Sequence, residues 1–480
     1  MTPFITTLVI LGYFGLLFII SLLTSRRTTS ETFFTADHQS PWYLVAYGMI
    51  GVGISGITFI SVPGEVGNSQ FTYFQLVIGY AIGLILIALV LLPLYYRLRL
   101  ISIYSYLEQR FGVRTYKTGA LFFQLAQSFT AAFKMFLMAG VLQISLFDPL
   151  GVPFEATVLV TLLLIWLYTV RAGIKTVVIT DTLQTTFLLL AVVLSIWIIG
   201  KQLGLTVPQL VERITASPNS TMFVTDWSSP RHFLKLILTG IFLTVVTNGI
   251  DHSVMQKHLT CPNLRESQKN MFVLAGMLLV VNLLFLSLGL LLYEYAYFLK
   301  IPLPEQTDDL YPLLALKYFS PFAGVVFLLG ISAAAYSSAD SALTGLTTSF
   351  CVDILNFEKR NLSTKIRNLV HLGFSLLIFL VILVFKWLND ESVVNAFIRV
   401  SGYVYGPLLG LFLFGMFTRL KVRDNYVPLV CVAAPIFSIV LYFNSEAWFN
   451  YKFGFEILLV NCVVTIIGLI LLLAPVSENR

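Results

Sequence analysis

Long apolar runs alternate with short polar connections from one end of the chain to the other. An apolar window of about 18 residues or more is a candidate membrane-spanning helix. Thirteen such runs fall near 4–24, 42–67, 71–96, 118–145, 153–170, 177–200, 233–256, 270–299, 321–349, 367–388, 393–417, 427–444 and 455–475. In hydrocarbon every backbone polar group must be satisfied within its own segment, so helix is the default. The alternating pattern of an outer-membrane barrel is absent. The pattern predicts an all-α integral membrane protein of about 13 transmembrane helices. The run starting at Phe4 has no basic stretch before it and no small-residue cleavage site after it, and is expected to be a retained helix rather than a signal peptide.

Composition agrees. Of 480 residues 57% are hydrophobic and 11% charged, against about 25% charged in soluble domains. The net charge of +6 could point to an acidic partner, but its distribution reads as topology. The connections after runs 1, 3, 5, 7, 9, 11 and 13, with Lys257 counted among them, hold 20 of the 30 Lys and Arg, and the other set holds 8. Positive charge favours the cytoplasm, which predicts the N-terminus outside and the C-terminus inside. A nucleic-acid surface would need a basic cluster on a soluble module, and none is legible. The long outer connections, about 201–232 and 300–320, are either caps over a pathway or solvated loops. Cys261, Cys351, Cys431 and Cys462 show no paired spacing, so neither a disulfide framework nor a zinc site is expected.

Six charged residues fall within runs: Glu65, Lys134, Asp181, Asp251, Asp340 and Arg399. A charge in a span costs roughly 2.5–3.5 kcal/mol on insertion scales and normally faces the bundle interior. Glu65 and Arg399 lie near outer ends and Asp251 near an inner end, where snorkelling is expected. Lys134, Asp181 and Asp340 lie deeper. Asp340 sits in "ISAAAYSSADSALTGLTTSF" (331–350). Helical spacing puts Ala334, Ser337, Ser338, Ser341, Gly345 and Thr348 on one face. Two uses fit that face: helix packing through small residues, or a cavity for a hard cation bound by several oxygens. A second stretch, "YGMIGVGISGITFISVPGEVG" (47–67), crowds Gly48, Gly51, Gly53, Gly56 and Gly64 into one run. Either the helix unwinds there and frees carbonyls for Na+ or H+, or the glycines permit close packing.

These residues resemble the sodium:solute symporters, over nearly the whole chain. The resemblance is carried by "AAAYSSADSALTGLTTSFCVDIL" (333–355), "YVYGPLLGLFLFGMFTR" (403–419), "YYRLRLISIYSYLEQRFG" (95–112) and "GIKTVVITDTLQ" (173–184), in family order. It implies ten core helices in two inverted five-helix repeats, here about 42–200 and 233–417, with the first and sixth core helices broken. The run at 4–24 and two after 427 would be peripheral, and the Ser-rich run would pack on the first broken helix. It implies a principal Na+ site from carbonyls of Gly51, Ile54 and Ala334 and the hydroxyls of Ser337 and Ser338. Some members bind a second cation, which would fall to Asp181, Ser337, Asp340 and Ser341. Position 340 departs from those members, which have Ser there. Lys134 is a candidate to neutralise one of the two acids. Substrate contacts implied at the breaks are Ser55, Thr58, Phe59, Lys134, Asn248 and Tyr403. "NGIDHSVMQK" (248–257) departs from the Asn-Gln-x-x-x-Gln-Arg often seen there.

The resemblance implies sodium-coupled uptake of a small organic solute at a plasma membrane, expected to be a bacterial inner membrane, with Na+ as coupling ion. No enzyme activity, nucleic acid or obligatory protein partner is expected. Lys134 inclines the solute towards an anion or a carboxylate such as sialic acid or a monocarboxylate. A sugar, polyol or amino acid is the alternative, and an ion channel a remoter one.

Overall fold

Every one of the thirteen apolar runs contains helix, and two of the runs contain a sharp break. A computed structural model describes residues 3–24, 39–98, 103–169, 174–355, 364–388, 392–451, 453–454 and 456–473. The side chains at 3, 21, 24, 168–169, 174–177, 340 and 364 lie outside the described set. Eight helices are long and apolar enough to cross a membrane, or ten if each bent pair is one span. Three further apolar helices are shorter.

In chain order the helices are α1 (Pro3–Thr24), α2 (Trp42–Gly53), α3 (Gly56–Ser69), α4 (Tyr73–Leu98), α5 (Ser105–Arg110), α6 (Val113–Leu150) and α7 (Phe154–Thr169). They continue with α8 (Ile174–Gln202), α9 (Val207–Ala216), α10 (Phe233–Gly249), α11 (His252–His258) and α12 (Leu264–Phe298). The last are α13 (Pro321–Ile354), α14 (Thr364–Leu388), α15 (Val393–Phe417), α16 (Val427–Phe449) and α17 (Ile457–Leu471). Helix α13 is the most enclosed of the spans and packs on α6, α8 and both halves of the first bent pair.

The two breaks are built differently. Helices α2 and α3 meet at 54° through Ile54 and Ser55, which both leave the helical conformation, Ser55 being extended. Among the described residues no backbone donor is paired with the Ile54 carbonyl. Helices α10 and α11 meet at 77°. There the freed carbonyls are taken: Tyr95 donates its hydroxyl to Gly249 at 2.8 Å and Tyr104 to Ile250 at 2.9 Å. Asp251 then caps α11, accepting from the Val254 N–H at 3.1 Å and from Ser253 Oγ at 2.6 Å. An unmet backbone group is costly in a membrane interior, so the second break is closed by protein and the first keeps an acceptor open.

Two of the motifs are structural. In α15 the glycines at 402, 406 and 410 recur every four residues and seat α17, facing Ile457, Asn461 and Thr465 in turn. Pro407 cannot donate to the carbonyl four residues back. Asn461 Nδ2 donates to that Tyr403 carbonyl instead, at 2.7 Å, and to Gly402 at 3.1 Å. At one end of the bundle, Arg110 donates to the carbonyls of Gly415, Thr418 and Leu420 at 3.2, 2.9 and 2.9 Å, closing the C-terminus of α15. Asp424 answers by accepting from the N–H groups of Arg114 and Thr115 at 3.0 and 2.8 Å, at the N-terminus of α6. In the Thr-Asp-x-x-Gln run, Gln184 donates to the Tyr13 hydroxyl at 2.9 Å and anchors α1.

Hydropathy did not foretell α9, which lies in the 201–232 connection with a Thr206/Gln209 capping box and an ion pair from Arg213 to Glu294 of α12 at 2.9 Å.

Candidate functional site

Four helices converge where the first break opens. Gly48 and Gly51 of α2 face Asp181, Thr182 and Thr185 of α8, and a methyl on Gly51 would run into Thr185 Oγ1. The Gly51 N–H donates to that oxygen at 3.0 Å. A methyl on Gly56 of α3 would rest 3.6 Å from Ala335 Cβ of α13. From α13, Ser337 donates its hydroxyl to Asp181 Oδ1 at 2.6 Å. The five residues expected around the first cation, Gly51, Ile54, Ala334, Ser337 and Ser338, are all buried. Ser338 Oγ is buried with no hydrogen-bond partner among the described residues. Desolvating a hydroxyl without a partner is unfavourable, and hydroxyl and carbonyl oxygens are the donor types a hard cation takes.

The second expected cation group holds a residue that the pattern assigned to a polar connection. Lys257, near the end of α11, is 3% exposed and donates to Asp181 Oδ2 at 2.7 Å and to Ser341 Oγ at 2.8 Å. This corrects its placement among the loop charges, and Asp181 has Lys257, not Lys134, as its cationic partner. The expected contribution of Asp340 concerns a side chain outside the described residues.

A cavity lies between the two breaks. Ser55, Thr58, Lys134, Asn248, Asp251 and Tyr405 line it. Asp251 was expected to snorkel, yet it is 2% exposed and faces this cavity. Two expected substrate contacts lie elsewhere. Phe59 points into an aromatic cluster with Phe285, Tyr311 and Phe327, at centroid distances of 5.7, 5.4 and 5.9 Å. Tyr403 turns towards α16, its ring centroid 6.1 Å from that of Tyr442, and Tyr405 takes the cavity side. Tyr73 also lines a second cavity with Glu65, Arg231, Asn395 and Arg399. Glu65 does not snorkel: it is buried, 3.7 Å from Arg231 and hydrogen-bonded by Asn395 at 3.3 Å.

A model of the sodium:solute symporter family matches residues 33–423. The chain belongs to that family. Among relatives of this symporter is the sodium/sialic acid symporter NanT of Aliivibrio fischeri, 26% identical over 98% of this chain and 92% of its own. The sodium/sialic acid symporter SiaT of Proteus mirabilis is 25% identical over 87% and 85%. In fold the symporter matches a Na+-coupled sialic acid symporter solved in a substrate-bound, outward-open state. The TM-score is 0.80, with 21% identity and 97% of each chain covered. The activity is sodium-coupled symport across a membrane, and Na+ is the coupling ion.

Proposed function

We propose that this symporter carries a small carboxylate-bearing solute, of the sialic acid or monocarboxylate kind, into the cell by alternating access. The Na+ would sit between the Gly51 and Ile54 carbonyls of the first break and Ala334, Ser337 and Ser338 of α13. The solute would sit in the cavity with Ser55, Thr58, Lys134 and Asn248. The observation that carries the reading is the buried Ser338 hydroxyl, without a partner among the described residues, next to Ser337 on the helix packed against an open break. Sodium there ties α13 to the α2–α3 pair and favours the solute-competent form, a coupling that works in both directions.

The carboxylate lean has two supports. Lys134 lines the central cavity, and the second cavity leading to Tyr73 carries Arg231 and Arg399 against the single Glu65. The likeness to sodium/sialic acid symporters agrees with it. A second reading, a zwitterionic amino acid, is favoured by Asp251 sharing the cavity with Lys134. We further assign thirteen spans, with each bent pair as one span and the three shorter helices crossing as well. The two inverted repeats are about 42–200 and 233–417. The N-terminus is outside a bacterial inner membrane and the chain works without an obligatory protein partner.

Each charge moved contributes about 2.3 kcal/mol per 100 mV, which at about 1.4 kcal/mol per tenfold gives roughly 40-fold accumulation per net charge. Counterflow in proteoliposomes, with sialic acid, monocarboxylates, amino acids and sugars, with and without Na+, tests the reading. Sodium-dependent exchange of a carboxylate is expected. Exchange confined to neutral sugars would overturn the solute assignment.

A further inference from the structure

Asp181, Ser337 and Ser341 are the described groups that a second cation would need, and all three are already engaged: Asp181 and Ser341 by one positive charge, Ser337 by Asp181. Lys257 Nζ donates to one carboxylate oxygen of Asp181 and to Ser341 Oγ, at 2.7 and 2.8 Å, while Ser337 donates to the other carboxylate oxygen at 2.6 Å. Asp181 and Lys257 are both almost wholly buried. A buried carboxylate needs a compensating charge and hydrogen bonds to its remaining lone pairs, and here it has both. A metal ion added at the same place would set two positive charges within hydrogen-bonding distance of this carboxylate.

We propose that the Lys257 ammonium is a tethered occupant of the second cation position, so that the symporter binds a single Na+ in each cycle. This rests on the first Na+ site assigned under Proposed function. The ammonium takes the same hard oxygen donors as an alkali ion, but it cannot leave. It is attached to α11, the inner half of the second broken helix, and it fastens that half to α8 and α13. The charge that a second ion would carry across the membrane is replaced by one that stays with the protein. Removing the lysine side chain leaves Asp181, Ser337 and Ser341 facing a space that an alkali cation can enter.

The test is a count of radiolabelled Na+ bound at equilibrium to the purified, full-length chain in detergent, which needs no knowledge of the solute. One ion per chain is expected for the wild type, two for Lys257→Ala, and one again for the Lys257→Ala/Asp181→Asn pair. Two ions in the wild type would overturn the proposal while leaving the first site intact. One ion in a Lys257→Ala protein that elutes and melts as a folded monodisperse species would also overturn it. No ion in the wild type would overturn the first-site reading itself. Should Lys257→Ala fail to fold, the wild-type count still decides between one ion and two.

Discussion

Ser337 of α13 gives its hydroxyl hydrogen to Asp181 of α8 across 2.6 Å, whereas the neighbouring Ser338 hydroxyl meets no partner among the described residues. The two adjacent serines therefore predict different losses. Ser338→Ala removes an oxygen that no described residue bonds. Its apparent Na+ affinity should fall about tenfold, roughly 1.4 kcal/mol, with melting temperature little changed. Ser337→Ala removes the same kind of oxygen and a buried hydrogen bond to a charged group, worth about 1.5–3 kcal/mol. It should lose both Na+ affinity and stability. Sodium titration of tryptophan fluorescence and of thermal melts separates the two. Wild-type sodium affinity in both variants would remove Ser337 and Ser338 from the ion site.

The contact of α2 with α8 is the next to be probed. A methyl at Gly51 meets Thr185 Oγ1, and the Thr185 Cβ behind it stands 3.4 Å away, an ordinary contact. Gly51→Ala alone should destabilise the folded protein by about 1–3 kcal/mol through overpacking. Adding Thr185→Ala removes the colliding oxygen and should restore much of that loss. The coupling in a double-mutant cycle, read from detergent melts, checks it. Additive losses would mean that the two residues do not touch.

Asn461 completes the backbone that Pro407 leaves open. Asn461→Ala strands the Tyr403 carbonyl, takes a second donor from that of Gly402 and opens a gap beside Gly406. Loss of a buried partner costs about 1–3 kcal/mol for each group left unsatisfied, so a fall in melting temperature with unchanged Na+ affinity is expected. A fall in Na+ affinity at unchanged stability would show that α17 does more than brace α15.

Under the proposed function Lys134 meets the solute rather than the ion. Lys134→Met keeps length and removes charge, and a hydrogen bond to a charged group contributes about 1.5–3 kcal/mol. Binding of a carboxylate solute should weaken by roughly 10- to 100-fold by the same arithmetic, with sodium affinity affected less. Calorimetry with sialic acid or a monocarboxylate in saturating Na+ gives the readout. Unchanged affinity would place the lysine in the service of Asp251, with which it shares the cavity.

How far the chain could be read follows from which signals are local. The first break lies within a cluster of glycines, and backbone permissiveness is written in the residues themselves. The hydroxyl face of α13 follows from helical spacing alone. Lys257 was not legible, because it follows an apolar run directly and precedes the polar segment that closes it. Its burial depends on Asp181, 76 residues away, and hydropathy carries no such pairing. Asp251 was misjudged for a related reason. Near a span end an acid looks free to snorkel, but here the helix ends early and the acid caps its second half. Phe59 and Tyr403 were carried over by position in a motif, and a helix turns a side chain by about 100° per residue. Tyr405 faces the cavity instead.

The last prediction concerns pH and the connection between α12 and α13, outside the spans. Asp308 lies in the single turn Thr307–Asp309, which presses on α3: a methyl on Gly64 would collide with the Thr307 carbonyl. Its Oδ2 accepts from the Val393 N–H at 2.8 Å, holding the start of α15. Burial pushes this carboxyl up to about 7, against the Val393 N–H that lowers it. An unfolded aspartate titrates near about 3.9. Between those two values the folded chain keeps a proton that the unfolded chain has released. The contribution of this group to stability is therefore full below about pH 4 and declines as pH rises through the window to about 7. Above that both forms are ionised and the dependence levels off. Asp308→Asn keeps an acceptor for Val393 and removes the titration. Its melting temperature should fall less steeply than that of the wild type between pH 4 and pH 7, and run parallel to it above. Identical slopes in the two proteins would mean that Asp308 ionises as an exposed aspartate does and that the turn does not bury it against α3.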